Sequence, residues 1–433
     1  MMEDRLDAAI GKHRKGDLDD AEAAYTAILA DNPNDHRTLS VAAILDHQRG
    51  RVKLAIDKLT KAIAKAPEEA GYHNNLGNIY RGEAEPERAL GCYRTALTLE
   101  PGNVETLCNV GSLCRRLGLT DEAREALETG RDLAPQHPET NHNLALVYAA
   151  LNMRDEAMDC IEACHAEGVE HTIAATYHAR ILAYYGRSER AIEILERSLL
   201  EMPDDPEIAY GLQAIRGDVP DRAPDAYVKK HFDGFAEGFD EQLEALKYKA
   251  PELLGDLARA LVGDDKLRLV LDLGCGTGLM GPHLRPLCET LIGFDLSPRM
   301  LKYAEKRGDY DKLGEVELTE ALVRFPKGAV DFAVASDTLC YFGALEEVFA
   351  GLAGALRPRG AFIGTVEAHG AEEGGDGPRS LESGRYSHSE AYLRRSAEGQ
   401  GLALRIVKQA DLRVEFNEPV AGLIFALENV GLT

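Results

Sequence analysis

Two architectures share this chain. The first half predicts an all-α array of repeated helix pairs, and the second half an α/β domain built on a parallel sheet. Three observations predict this. Prolines recur every 34 residues through the first half, at Pro33, Pro67, Pro101 and Pro135. An apolar run from Leu267 to Leu273 ends in a turn with Gly274, Gly276 and Gly278. A second such run ends in an acid, Asp295, and hands over to Ser297-Pro298.

Composition limits the function. A chain of 433 residues has room for two or three domains. The net charge is -24, from 49 basic and 73 acidic residues. Up to Arg216 there are 37 acids against 24 bases, and 36 against 25 beyond it. Both halves are acidic, so nucleic acid is not an expected partner, because phosphates need Lys and Arg. A basic partner is allowed, although acidic charge often serves only solubility. No apolar run approaches the ~20 residues that span a bilayer, so no membrane partner is expected. Met1 to Arg5 lacks a basic segment followed by an apolar one, so no signal peptide is expected. The eight cysteines are scattered, as for reduced thiols, and a cytoplasmic location is expected. Cys160, Cys164 and His165 have no second pair at ligand spacing, so the two cysteines read as small apolar fillers on one helix face and no metal is expected.

The first half is periodic. Pro203 falls two periods after Pro135, with Val169 at the step between. One ladder of small residues is Ala21, Ala55, Ala89, Ala123, Ala157 and Ala191; a second is Ala9, Ala43, Gly77, Gly111, Ala145 and Ala179. Small side chains at two fixed positions let paired helices approach closely, and the prolines stop the second helix of each pair. Repeat three shows the pattern best, with Asn75-Leu76-Gly77-Asn78-Ile79-Tyr80, then Ala89, Tyr93, Ala96 and Pro101. This resembles the tetratricopeptide repeat, although the family's aromatic at the start of the first helix is replaced and tryptophan is absent. Six repeats are expected over residues 2–203, with a capping helix over 204–216. The resemblance implies a superhelix whose groove takes a protein or peptide. It also places Asn75, Asn109 and Asn143, at one repeat position, on that groove. Asn there can pair with both N–H and C=O of an extended peptide. The alternative is that the three Asn cap helices or fill polar helix surface. The histidines of this half share no fixed spacing and read as surface or groove residues.

Residues 217–226 form a linker, rich in Gly, Pro and Asp. The α/β domain is expected over 227–433. It opens with a helix whose Phe232, Phe235 and Phe239 stand at helical spacing. The three glycines let the backbone turn tightly and approach a ligand. A helix opening near Gly278 would aim free N–H groups there. An acid at the tip of the next strand, Asp295, is where a ribose diol is held.

From Asp272 through Gly278, and again at Asp295, the chain resembles the class I S-adenosylmethionine-dependent methyltransferases, whose fold is Rossmann-like. The resemblance covers about residues 225–430. Gly276-x-Gly278-x-x-Gly281 also fits the nicotinamide dinucleotide pattern, but such a match alone is weak. Asp272, two residues before the first glycine, favours the methyltransferase. The resemblance implies S-adenosyl-L-methionine as cofactor. It implies cofactor-binding roles for Asp272, Gly274, Cys275, Gly276, Gly278, Asp295, Leu296, Met300 and Asp337. Phe232 and Phe239 would lie over the methionine end, as in the Phe-Asp-x-x-Ala-x-x-Phe-Asp helix of many small-molecule methyltransferases. Val316 to Leu318 reads as a third strand, whose Glu317 and Leu318 would hold the adenine; Glu320 with Ala321 fits nearly as well.

Residues 330–335 read as the fourth strand, 345–356 as a helix, 361–367 as the fifth strand, and 402–409 with 420–427 as an antiparallel pair at the sheet edge. Residues 369–384 read as a mobile flap on the substrate side. Beyond it, Arg385 and Tyr386 are expected to bind substrate, and Ser387 or Ser389 to cap the next helix. A base is needed only if the methyl acceptor arrives protonated; His388, Tyr341 and Glu367 are the candidates. The expected function is a methyltransferase whose repeats recruit a protein substrate or partner. The other reading is a scaffold whose second domain binds cofactor but transfers nothing.

Overall fold

The computed structural model describes residues 2–166, 175–263, 266–370 and 377–431. The chain divides into two compact units, Met1–Val147 and Tyr148–Thr433.

The first unit consists of antiparallel helix pairs. These are α1 (Met2–Arg14) with α2 (Leu18–Asp31), α3 (His36–Gln48) with α4 (Val52–Lys65), α5 (Ala70–Gly82) with α6 (Pro86–Leu99), and α7 (Val104–Arg116) with α8 (Thr120–Leu133). α9 (Pro138–Ala150) follows. Both small-residue ladders do what their size predicts. Each alanine of the two ladders is at most 1% exposed. A Cβ placed on Gly77 would stand 2.5 Å from the Tyr93 ring, so the α5–α6 crossing admits nothing larger. Each second helix stops two residues before its proline, as at Asp31 and Pro33. Asp35 and Asn103 then cap the next helix by accepting from Thr38 N and Thr106 N. Val169 and His171 lie outside the described residues.

The second unit takes in the end of α9, then α10 (Arg154–Cys164), α11 (Ala175–Tyr184), α12 (Ser188–Glu201) and α13 (Pro206–Arg216), which packs against α11 and α12. α14 (Asp225–Phe235), α15 (Phe239–Ala245) and α16 (Ala250–Val262) precede the first strand of the sheet. The aromatic-spaced stretch is two helices rather than one, because Gly238 takes φ 74 and breaks it.

The sheet is built from β1 (Leu267–Leu273), β2 (Cys288–Asp295), β3 (Lys312–Glu315), β4 (Val330–Ala335), β5 (Leu356–Ala368), β6 (Arg379–Ser380), β7 (Tyr386–His388), β8 (Leu402–Glu415) and β9 (Glu418–Asn429). β3, β2, β1, β4 and β5 lie side by side in parallel. β9 runs antiparallel to β5, and β8 closes the edge as the second arm of a hairpin. β7 adds two parallel pairs at the end of β5. Every residue of β4 is buried, as a central strand covered on both faces requires. The connecting helices are α17 (Gly281–Leu284), α18 (Pro298–Arg307), α19 (Leu318–Val323), α20 (Glu346–Ala355) and the helix Glu390–Glu398.

Two expectations need correction. The third strand is Lys312–Glu315, and Glu317 lies past it as the N-cap of α19, its carboxylate accepting from Thr319 N and Glu320 N. The helix after the glycine turn starts at Gly281, not Gly278, and is four residues long. The Gly278 and Gly281 N–H groups are spent on turns, donating to Cys275 O and Gly278 O. Ser389 rather than Ser387 caps the helix Glu390–Glu398, accepting from Tyr392 N at 3.2 Å.

Candidate active site at the strand tips

β1 and β2 pair in register from Leu267 with Cys288 to Leu273 with Phe294, which sets Asp272 beside Gly293 and Asp295 one residue past the last pair. Gly274 N and Cys275 N both donate to Phe294 O, at 2.8 and 2.9 Å, so the turn is stitched to the end of β2. Asp295 Oδ2 accepts from Gly276 N at 2.9 Å, and Oδ1 from Ser297 N at 2.8 Å. The second strand-end acid thus fixes the glycine loop as well as facing it. Two glycines are needed here for different reasons. Gly274, at φ 75, has no room, since a Cβ would lie 2.5 Å from Thr338 Cγ2. Gly276, at φ 54, faces open space, and the nearest atom to a Cβ there is Phe239 Cε1 at 4.0 Å.

Asp272 is fully buried. Its Oδ2 accepts from Tyr310 Oη–H at 2.6 Å, while Oδ1 is buried without a partner. Burial, offset in part by the Tyr310 bond, raises its pKa to about 7. A buried acceptor with nothing to accept is costly unless a donor arrives. The open face at Gly276 and this orphaned oxygen fit a polar ligand laid across the loop.

α14 and α15 cover that loop. Phe232 meets Phe239 edge-on at 6.1 Å and Tyr341 at 5.6 Å. Asp240 Oδ1 accepts from Thr277 Oγ1 at 2.5 Å, and its other oxygen pairs with Arg307, which also donates to Thr277 O at 2.8 Å. Asp233 Oδ1 accepts from Ser297 Oγ at 2.6 Å. Sequence reasoning took the aromatics of this segment and missed the two acids, although both stand in the Phe-Asp pattern. Tyr310, Thr338 and Arg307 carried no signal, because they reach the loop only through the fold.

The remaining candidates are placed as follows. Met300 is fully buried, with its N–H bonded to Ser297 Oγ, and Leu318 is buried in the core. Leu296 is half-buried beside Asp295, and the Cys275 thiol is buried. Glu317 Oε1 lies 3.0 Å from Arg222 Nη1 of the linker. That linker is docked on the domain: Ala223 N donates to Tyr341 O, and Asp221 O accepts from Gly343 N. Asp337 takes φ 54 at the tip of β4 and pairs both oxygens with Arg413 Nη1, at 3.1 and 3.0 Å. Arg413 is 2% exposed and also pairs with Glu367 and Glu415. Arg385 Nε lies 2.9 Å from Glu367, and its Nη2 is 2.6 Å from Glu415.

This cluster, other buried contacts and burial itself change how five candidates read. Glu367 is 5% exposed and faces two guanidinium groups, which suits a structural anion rather than a proton acceptor. Arg385 is spent on Glu367 and Glu415, and Tyr386 is buried with its hydroxyl donating to Pro220 O, so neither is presented to a substrate. His388 is fully buried with Nε2 donating to Gly343 O at 3.0 Å; burial drops its pKa to about 4, which makes it a poor base. Burial raises the Tyr341 hydroxyl well above its usual value. Of the proposed flap, residues 371–376 lie outside the described residues; on its flanks His369 Nδ1 meets Ser387 Oγ at 2.9 Å and Ser188 donates to Glu382.

On the repeats, Asn75 and Asn109 are half-buried and Asn143 is 8% exposed. Asn109 donates to Asn74 Oδ1 at 3.0 Å and accepts from Arg81. Asn143 donates to Glu139 O, within its own helix, at 2.9 Å.

Comparison with known proteins finds both kinds of region in the chain. The family model of a methyltransferase domain matches residues 271–364. Models of the tetratricopeptide repeat match residues 6–70, 74–138 and 138–164. Methyltransferase-like protein 27 of Homo sapiens is 37% identical over 129 residues, which are 29% of this chain and 51% of that protein. The chain therefore spans about half the length of this curated relative. Among solved structures, the Pseudomonas aeruginosa pilF protein is 17% identical with a TM-score of 0.44, covering 48% of this chain and 95% of that one. Magnesium protoporphyrin IX methyltransferase of Synechocystis, solved with bound SAM, is 18% identical with a TM-score of 0.36, covering 49% and 98%. Likenesses of that size speak to neither substrate nor partner. The chain joins tetratricopeptide repeats to a methyltransferase domain.

Proposed function

We propose that this union of repeats and methyltransferase domain is an S-adenosylmethionine-dependent methyltransferase whose repeats recruit a protein or peptide. One observation carries the cofactor reading. Asp272 and Asp295 stand at the tips of adjacent parallel strands; Asp295 pins the glycine loop, and Asp272 Oδ1 is buried without a donor. Asp295 would hold the ribose, the loop from Gly274 to Gly278 the methionine portion, and Glu317 with Leu318 the adenine. When bound, this cofactor supplies an electrophilic methyl group on a sulfonium.

The chain's own part is orientation and exclusion of water. Phe232, Phe239 and Tyr341 close an aromatic wall above the loop, and Asp233 and Asp240 latch it. His388, Glu367 and Tyr341 are not poised to take a proton. Such a site suits an acceptor that arrives as a nucleophile.

Calorimetry on the full chain tests the reading. S-adenosylhomocysteine should bind, and Asp295→Ala should weaken it by roughly tenfold or more, as charge-assisted hydrogen bonds contribute about 1.5–3 kcal/mol. Tighter binding of a nicotinamide dinucleotide would sink it. Recruitment is assigned to the repeats around Asn75 and Asn109, with Asn143 turned partly into its own helix. If Asn75→Ala with Asn109→Ala and Asn143→Ala captures the same peptides from a displayed library as the parent chain, the recruitment assignment fails.

A further inference from the structure

α14 faces two ways. Toward α13 it presents Tyr227, Lys230 and His231. The Tyr227 and Tyr210 rings lie 4.4 Å apart, Lys230 pairs with Asp205, and His231 Nδ1 stands 3.0 Å from Glu207 Oε1. A carboxylate only accepts, so Nδ1 carries the proton of that bond. Burial holds the imidazole below its usual range, against the pull of Glu207. One turn on, Phe235 meets Tyr177 of α11 at 5.9 Å. Toward the sheet, α14 presents Phe232 and Asp233. Asp233 accepts from Ser297 Oγ and, at 3.4 Å, from Arg299 N, at the cap of the helix that follows Asp295. Phe232 rests on Tyr341 and Phe239, and Phe239 stands over Gly276.

An 11-residue helix is marginal alone, so its contacts decide where it sits. α13 can serve as a fixed support. Asp205 caps it by accepting from Glu207 N at 2.9 Å, and Tyr210 Oη–H donates to Gly384 O at 2.9 Å.

We infer that α13 is a positioning element of the cofactor site: Asp205 and Glu207 hold Lys230 and His231, and α14 thereby keeps Asp233 and Phe232 on the loops around Asp295 and Gly276. This rests on the cofactor reading above. Glu207 and Lys230 act only through α14 and are positioning residues.

The test is calorimetry of the full chain with S-adenosylhomocysteine, paired with hydrogen exchange. Glu207→Ala combined with Lys230→Met should bind roughly five- to tenfold more weakly, as the loss of one or two hydrogen bonds to charged groups implies. Glu207→Gln should stay within about twofold, because its carbonyl accepts the same imidazole N–H. Peptides covering residues 225–240 should exchange faster in the double variant, while those covering Leu267–Leu273 keep their protection. That pattern separates lost positioning from lost folding. Unchanged affinity in the double variant overturns the inference. If the double variant loses protection in Leu267–Leu273, the half-exposed Lys230→Met alone decides, and its unchanged affinity overturns the inference equally. A parent chain that fails to bind S-adenosylhomocysteine overturns the cofactor reading instead.

Discussion

Asp272→Asn isolates the electrostatic state of the site. The Asp272 carboxyl titrates at about 7 when folded, against its ordinary 3.8. Between these values the folded chain holds a proton that the unfolded chain has released. Stability from this group is therefore complete below pH ~4 and lost as pH rises to ~7, at about 1.4 kcal/mol per pH unit. The full loss is about 4 kcal/mol. Asparagine is neutral throughout, and its carbonyl still accepts from Tyr310. The variant should escape the loss entirely. The chain has no tryptophan and two units, so a global optical melt would blur the effect. Hydrogen exchange on peptides covering Leu267–Leu273, corrected for intrinsic rates, reads it locally. The opening free energy of the parent should fall between pH 5 and 7 while that of Asp272→Asn stays level. Saturation with S-adenosylhomocysteine should flatten the parent's slope, since a donor on Oδ1 favours the ionised form. Parallel curves for parent and variant would refute both the raised pKa and the orphaned oxygen behind it.

Three further outcomes follow from the same geometry. Gly274→Ala forces φ 75 on a residue with a Cβ and drives it against Thr338, so S-adenosylhomocysteine binding should vanish by calorimetry, with a backbone cost of about 1–2 kcal/mol before the clash. Arg413→Met leaves Asp337, Glu367 and Glu415 around an apolar stem with only Arg385 in compensation; local stability at β5 should drop by about 3–5 kcal/mol in exchange measurements. His388 is neutral when folded, with a pKa of about 4 against 6.5, so the unfolded chain takes the proton first as pH falls. Its contribution is complete above pH ~6.5 and lost toward pH ~4, about 3 kcal/mol in all, and His388→Gln should remove that acid limb from the exchange profile of residues 386–388.

Much was legible from residue order alone, for a physical reason. A repeat writes its packing at fixed intervals, so the small-residue ladders announced the helix pairs, and each ladder alanine is buried. The glycine turn and Asp295 were legible because backbone geometry and strand tips are local properties. The edge hairpin showed as two apolar runs. What the sequence could not decide lay in side chains meeting across distant segments. Glu367, Arg385, Arg413 and Glu415 are spread over some 50 residues and become one buried charge cluster only when β5, β7 and β8 align. That cluster, not the residue types, turns Glu367 and Arg385 away from catalysis and substrate. His388 looked like a base by type, and burial alone made it a poor one. Glu317 slid from strand to helix cap because a two-residue shift leaves no trace in a short apolar pattern. The last repeats showed the same 34-residue rhythm as the others. Only tertiary contacts placed α10–α13 in one compact unit with the sheet, because Tyr210, Asp205 and Glu207 find their partners in segments that no local rule connects to them.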